Sequence, residues 1–398
     1  MKIGVYQHYW GSMGGGQRYV GFVAQILAEK HEVEILHHAA DFDQRAFEEG
    51  MELDLSRVHF RYEPRPERNF APSRNPYRHL MNEMTFCRNY SEPYDLFIES
   101  GDLPPIFNHA KRGVLIVNFP QMSFDEFNFH EEPQWKNQNF LKRWLKNKYQ
   151  GIEWRCRFSS YHRYLCNSRF TRGWCSNRWG ILPQVLNPPL RSRIRAMEKK
   201  PLIVALGAFS HVNRKRQDVL IDAFRIFCDT YGDKLPQRWT FRLIGACKTD
   251  NAEDVAFVER LRERAEGYPV EFVINADGQT LLESLGTATC VWYAMGYDVD
   301  EQKYPGETEP FGMIVTEAMA AGAIPLVYHA GGLSEIIRHN RNGFLWRTLV
   351  ELITTTGEIL QDPKRLEALQ TAALEERKNY DEDAFRANLA KCLRGLLS

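Results

Sequence analysis

Short apolar runs alternate along the chain with longer stretches in which apolar residues recur every three or four positions. The first run, KIGVYQ, reads as a buried strand. After the loop HYWGSMGGG, residues Tyr19, Phe22, Val23, Ile26 and Leu27 fall at i, i+3, i+4, i+7 and i+8, the spacing of one helix face. EVEIL is the next strand and closes a βαβ unit; YDLFIES, GVLIVNF and RYLCNS continue the strand series. VLNPPL interrupts the pattern, the basic stretch RSRIRAMEKK follows, and PLIVALG restarts it. From there the alternation predicts a helix over 215–227, strand FRLIG, a helix over 253–266, strand VEFVI, a helix near Leu281 and strand ATCVWY. Such alternation in both halves predicts an α/β protein of two Rossmann-like, doubly wound domains, 1–189 and 190–378, facing a central cleft. Residues 379–398 are expected as a final helix that packs back toward the first domain.

A length of 398 residues suits two domains, and 43% hydrophobic residues can furnish a core for each. Lysine plus arginine equals aspartate plus glutamate at 51 each, so no global field selects nucleic acid or an acidic partner. The eight cysteines form no CxxC pair and no zinc spacing, which sets aside a metal or disulfide framework. MKIGVYQHYW enters a strand without the apolar core of a signal peptide, and nowhere do eighteen apolar residues run together. A cytoplasmic protein is the expectation, with attachment to the cytoplasmic face of a membrane left open.

The densest chemistry lies in ETEPFGMIVTEAMAAGAIPLVYHAGGLSEII, residues 307–337. Proline at a first turn, followed by Ile314, Val315, Ala318 and Met319 at helical spacing, predicts a helix start within Pro310–Gly312, and Gly322 supplies the stop. A helix start offers unpaired N–H groups and the positive end of a dipole, and Gly312 permits close approach, so this is a candidate phosphate site. Glu309 and Glu317 flank it, and ionised carboxylates seek hydroxyl donors. A ligand with phosphates in the middle and hydroxyls at both ends, such as a nucleotide-sugar, fits; two solvated helix-terminal acids are the plainer alternative. The glycine pair in HAGGLSEII, read as opening a further helix after strand AIPLVYH, favours the ligand.

EPFGMIVTEAMAAGAIPLV resembles the E-x7-E signature of retaining glycosyltransferases of the GT4 family, which have the GT-B fold, and AGGLSEIIRHNRNGFLW resembles the segment that follows it. GGGQRYVGFVAQIL, YLCNSRFTRGW and VLNPPL are similar to that family's first loop and helix, its NS-x-(F/Y)-T step and its interdomain entry. VWYAMGYDVDE is nearest in wording to the branch of ALG11-like mannosyltransferases and microbial polysaccharide enzymes. The resemblance implies that Glu309 holds the donor sugar's hydroxyls and Glu317 the ribose. Backbone N–H groups from Phe311, Gly312, Met313 and Ile314 would meet the diphosphate, with Pro310 shaping the same donor-binding turn, and Gly15 and Gly16 would close over the same phosphates. It also implies an arginine and a lysine after the first strand of the second domain. In GAFSHVNRKRQD, Lys215 fits the lysine, but Ala208 stands where the arginine is usual, leaving Arg214 or Arg216 as substitutes. Asn118 replaces a family histidine, His109 reads as structural, and Asp102 in ESGDLPP is the candidate for orienting the acceptor.

A departing nucleoside diphosphate gains charge that cations or a helix dipole must meet. The triplets at Asp298–Asp300 and Asp41–Asp43 resemble a metal-binding Asp-x-Asp only in letters, so a site with no metal and no cofactor is expected. No residue is assignable as a covalent nucleophile, and the resemblance implies same-face displacement with retention. From Lys136 to Tyr164, eight lysines and arginines mix with seven aromatics and one acid, Glu153. With Trp144, Tyr149 and Trp154 among them, this segment suits an anionic membrane bearing a lipid-linked acceptor, or a solvated helix with a core-facing side. The expectation is a glycosyltransferase acting between a GDP- or UDP-linked sugar, mannose among the candidates, and a glycan or lipid-linked acceptor. A catalytically silent sugar-nucleotide or glycan binder is the alternative.

Overall fold

The computed structural model describes residues 1–7, 10, 14–40, 42–63, 76–124, 126, 140–212 and 214–397, with backbone alone for 76–83, 140–143 and 145–147. The chain divides into two compact units, Met1–Asn187 with Phe385–Ser398, and Pro188–Ala384.

The first unit holds a seven-stranded sheet: β1 (Lys2–Gln7), β2 (Glu32–His37), β3 (Val58–Tyr62), β4 (Leu96–Gly101), β5 (Arg112–Val117), β6 (Arg163–Cys166) and β7 (Gln184–Val185). The strands are parallel in the order β3-β2-β1-β4-β5-β6-β7, so the order reverses at β1. In such sheets ligands bind beyond the carboxyl ends of the strands at the reversal. β1, β4 and β5 are buried nearly throughout, as parallel strands covered on both faces must be. The helix Gly15–Ala28 lays Tyr19, Val20, Phe22, Val23 and Leu27 on the sheet. Into the same core come Phe385, Leu389, Cys392, Leu393 and Leu396, the apolar positions of the last helix and its exit.

The second unit repeats the plan with six parallel strands: β8 (Lys200–Leu206), β9 (Thr240–Gly245), β10 (Val270–Ile274), β11 (Ala288–Tyr293), β12 (Ile324–Tyr328) and β13 (Phe344–Trp346). Their order is β10-β9-β8-β11-β12-β13, with the reversal at β8. Helices occupy Gln217–Tyr231, Ala252–Arg264 and Gly278–Thr287, each within a few residues of the periodicity's expectation. Phe224, Phe227, Phe241 and Trp292 interlock beneath them.

The helix Phe140–Ser159 corrects part of the surface expectation. Trp154 is buried with Phe124 and Phe158, and Arg157 is buried too, paired with Glu153 and donating to Pro105 O at 3.1 Å. Trp144, Lys148 and Ile152, four residues apart, are exposed, with the Lys148 ammonium 4.4 Å from the Trp144 ring centroid. Residues 136–139 of the expected basic segment lie outside the described residues.

Candidate active site

Lys215 lies in the loop between β8 and the helix Gln217–Tyr231, and its stem crosses Gly207, where a Cβ would come within 2.5 Å of Lys215 Cγ. Glycine is therefore required there. The Lys215 ammonium donates to Glu309 Oε2 at 3.1 Å, to Tyr293 Oη at 2.5 Å and to Met295 Sδ at 3.1 Å, three acceptors for its three N–H bonds. The Tyr293 hydroxyl in turn donates to Glu309 Oε2. Burial by itself would raise the Glu309 carboxyl, but the Lys215 charge, the Tyr293 and Lys215 hydrogen bonds and the Phe311 amide outweigh it and hold the group below its ordinary range. Glu309 is thus a carboxylate, while burial first and the neighbouring carboxylate second push the Tyr293 phenol up, keeping it a neutral donor.

The helix beside them runs Met313–Ala320, one residue later than the expected start. Gly312 caps it at φ 102, a conformation that side chains rarely adopt, and no side chain caps the end. The amides of Met313 and Ile314 precede the intrahelical ladder, whose first acceptor is Gly312 O. Pro310 and Phe311 lie in the bend before the helix. The Phe311 amide serves the Glu309 carboxylate, and the ring is buried against Tyr380.

The second glycine pair opens a helix after β12, as expected, and also serves in packing. Only one helical turn follows it, Leu333–Ile336. A Cβ on Gly331 would fall 2.2 Å from Glu309 O, and one on Gly332 2.2 Å from Pro310 O. Gly332 N donates to Glu309 O at 2.8 Å, and Glu301 Oε2 accepts from Gly331 N at 2.7 Å. The pair lets two loops pack backbone to backbone, which fixes where Glu309 begins.

Glu317 is 5% exposed and pairs with Arg191, whose Nε lies 3.1 Å from Oε1. Arg191 comes from the RSRIR stretch, read from sequence only as a basic connection. Arg216 does not stand free in place of the missing arginine: its guanidinium donates to Tyr297 O at 2.7 Å and pairs with Asp218 at 3.5 Å. Arg214 is exposed, and Ala208 lies beyond the end of β8. Asp300 Oδ1 accepts from the amides of Gln302 and Lys303, capping its own turn, and Asp41 lies outside the described residues.

A second polar group gathers at the carboxyl ends of β1, β4, β5 and β6 in the first unit. Gly15 and Gly16 open their helix behind Gly14 with no side-chain cap. A Cβ on Gly16 would sit 3.2 Å from Asn118 Nδ2 and 3.5 Å from Gln7 Nε2, so the helix start is drawn close to both amides. Asp102 accepts from Phe119 N at 3.1 Å and from the Asn118 side chain, yet burial dominates and pushes its carboxyl up to about 6. The NSRFT step now has a mechanical reading. Ser168 caps the helix Arg169–Trp179, while Asn167 Nδ2 and Thr171 Oγ1 hold Asn118 O at 2.8 and 3.3 Å. Gln7 Oε1 and Asn167 Oδ1 are buried and have no hydrogen-bond partner among the described residues. His109 belongs elsewhere, its amide on Ser91 Oγ.

Sequence reasoning passed over Tyr293, Arg191, Gln7 and Asn167. Tyr293 carried a signal, a hydroxyl at the end of the otherwise apolar strand ATCVWY; Arg191 carried none, since its partner lies 126 residues away.

Residues 188–380 match the family model described as Glycosyl transferases group 1. Among curated proteins, the chain is 28% identical over 213 residues to sulfoquinovosyl transferase SQD2 of Arabidopsis thaliana, covering 51% of this chain and 36% of that protein. It is 28% identical over 239 residues to the human GDP-Man:Man(3)GlcNAc(2)-PP-Dol alpha-1,2-mannosyltransferase, covering 55% and 46%. The chain thus spans less than half the length of either relative. Among solved structures, sucrose-phosphate synthase from Thermosynechococcus elongatus aligns with a TM-score of 0.66 at 16% identity, covering 100% of this chain and 99% of that one. Anabaena Alr3699/HepE in complex with UDP-glucose aligns at 0.65 and 16%, covering 99% of each. These likenesses establish the fold as the GT-B pair of Rossmann-like domains.

Proposed function

We propose that the chain, whose residues 188–380 match the model of the group 1 glycosyl transferases, moves a sugar from a GDP- or UDP-linked donor to a glycan or lipid-linked acceptor, retaining its configuration and using no metal. Mannose is the first candidate, because several relatives are named for GDP-mannose. The observation that carries this reading is the Glu309 carboxylate held by Lys215 beside the uncapped start of the helix Met313–Ala320. A carboxylate with one oxygen engaged by a cation and a phenol keeps the other for a sugar hydroxyl. The helix start and the lysine meet the charge that grows on a departing diphosphate. Glu317, paired with Arg191, would accept from a ribose hydroxyl. Asp102 and Asn118 would orient the acceptor.

Thermal shift with GDP-mannose, UDP-glucose and an ADP-sugar, with and without EDTA, tests the reading. One nucleotide series should raise the melting temperature, by the equivalent of about 2.7 kcal/mol at a hundredfold over Kd, with or without chelator. No shift with any series overturns the donor site; a shift that EDTA abolishes overturns metal independence. Release of nucleoside diphosphate by the wild type but not by Glu309→Gln separates an enzyme from a silent binder.

The exposed Trp144, Lys148 and Ile152 face suits an anionic bilayer carrying the acceptor. No described helix is long and apolar enough to cross a membrane. Cosedimentation with phosphatidylglycerol vesicles, reduced severalfold by Trp144→Ser with Lys148→Glu and absent with phosphatidylcholine, is the expected outcome.

A further inference from the structure

Tyr293 ends β11, a strand buried at every position, and its hydroxyl is the point where three groups of the candidate site meet. It donates to Glu309 Oε2 and accepts from Lys215 Nζ at 2.5 Å, while Lys215 also reaches Glu309 Oε2 at 3.1 Å. The phenol is neutral because burial and the adjacent carboxylate both disfavour its anion, so its single proton belongs on the glutamate. Every described donor to the Glu309 side chain from another strand or loop converges on the same oxygen, Oε2.

We propose that Tyr293 is a positioning residue for sugar transfer, acting through Glu309. The proposal rests on the glycosyltransferase reading above and adds to it a residue and a division of labour. A carboxylate can rotate about its last bond and exchange its two oxygens. Tyr293 and Lys215 together remove that freedom: they hold Oε2, the Phe311 amide of the same loop engages the carboxylate as well, and a lone pair of Oε1 is left for the ligand. Lys215 alone cannot do this once a diphosphate is present, because its three N–H bonds are already divided among Tyr293, Glu309 and Met295, and a phosphate oxygen is a far better acceptor than a thioether sulfur. As the ammonium turns toward phosphate, the hydroxyl of Tyr293 continues to hold Oε2. The tyrosine therefore serves the sugar end of the donor and leaves the nucleotide end alone. Held within a fraction of an ångström, Oε1 stabilises the sugar as its bond to phosphate lengthens; a loosely held carboxylate binds the donor about as well and assists the transition state less.

The test is Tyr293→Phe, which removes one oxygen and keeps the ring that fills the core. Turnover of GDP-mannose and of UDP-glucose is followed by nucleoside diphosphate release, alongside calorimetric titration with GDP and UDP and a melting curve. The expected result is a kcat lower by about tenfold or more, KM for the nucleotide-sugar within about threefold, and unchanged GDP or UDP affinity. A purely structural tyrosine would instead lower the melting temperature and leave kcat of the folded enzyme intact, and that result overturns the proposal. Wild-type kcat in Tyr293→Phe, with Glu309→Gln inactive, overturns the positioning role while the glycosyltransferase reading stands. Absence of turnover in the wild type with both donors overturns the two together. A fall in nucleoside diphosphate affinity matching the fall in turnover also overturns the proposal, since it would place the effect on Lys215.

Discussion

Removing the Lys215 ammonium strands the Glu309 carboxylate in a partly buried place. Lys215→Met should cost about 1–3 kcal/mol at pH 7, less than a fully buried pair because Glu309 retains some exposure. The sign of its pH dependence follows from the direction of the shift. Lys215 and Tyr293 hold Glu309 below its ordinary value, so the stability they confer is complete above that value and is lost as pH falls through the folded one. In the variant burial dominates, Glu309 takes its proton earlier, and the deficit measured by urea unfolding narrows on acidification. Asp102 has the opposite sign. Its carboxyl is raised from 3.8 to about 6, so the folded state binds a proton that the unfolded state has released, and wild-type stability declines as pH rises across that window. Asp102→Asn keeps an acceptor for Phe119 N and should be more stable than wild type by about 1–3 kcal/mol at pH 7, with no difference near pH 4. Unfolding midpoints at the two pH values check it. At this scale Glu309 and Glu317 were singled out by residue type and spacing beside a helix start, and Lys215 by the family resemblance alone. Their partners were not, because Lys215 meets Glu309 across 94 residues and Arg191 meets Glu317 across 126.

Among elements, the loop holding Glu309 depends on glycines in another loop. Gly331→Ala combines a strained backbone, at φ +63, with a Cβ 2.2 Å from Glu309 O. Backbone cannot swing aside as a side chain can, so the cost should be about 1–3 kcal/mol. Because the displaced atoms belong to Glu309, turnover should fall further than the fraction folded. Gly173→Ala is the control: it lies inside the helix Arg169–Trp179 with nothing within 4 Å of the new Cβ, and should stabilise by about 0.5–1 kcal/mol. Melting curves and nucleotide-sugar turnover on both variants distinguish packing of the site loop from a general sensitivity to glycine replacement. The strands of the second unit were readable as short apolar runs because a parallel sheet is covered on both faces, and the long helices from their periodicity because each buries one face against that sheet. The glycine pair at 331 and 332 was read as opening a helix, and one turn does follow it; its packing against Glu309 and Pro310 was not legible, because a sequence shows that a backbone must come close to something and does not show to what.

On the scale of the whole molecule, the chain leaves the first unit at Asn187 and supplies it again from Phe385 onward. Phe385 packs against the rings of Tyr19 and Phe22, at 5.9 and 5.4 Å between centroids. Leu389, Cys392, Leu393 and Leu396 complete the same core, and Arg386 pairs with Glu29 at its edge at 2.7 Å. Deleting one large buried side chain costs about 2–5 kcal/mol, while a domain's net stability is about 5–15 kcal/mol. A chain ending at Ala384 loses five buried side chains from that core at once, so its first unit should not stay folded. The second unit should be spared, because β8–β13 and the pairs of Lys215 with Glu309 and Arg191 with Glu317 lie wholly within Pro188–Ala384. Limited proteolysis should therefore degrade residues 1–187 of the truncated chain and leave a resistant fragment beginning near Pro188. Calorimetry should show one transition where the full chain shows the unfolding of both units. Equal protease resistance of both units in the truncated chain would mean that the core of residues 1–187 is sufficient without the returning helix, contrary to the burial of Phe385 and Leu389 at 2% exposure each.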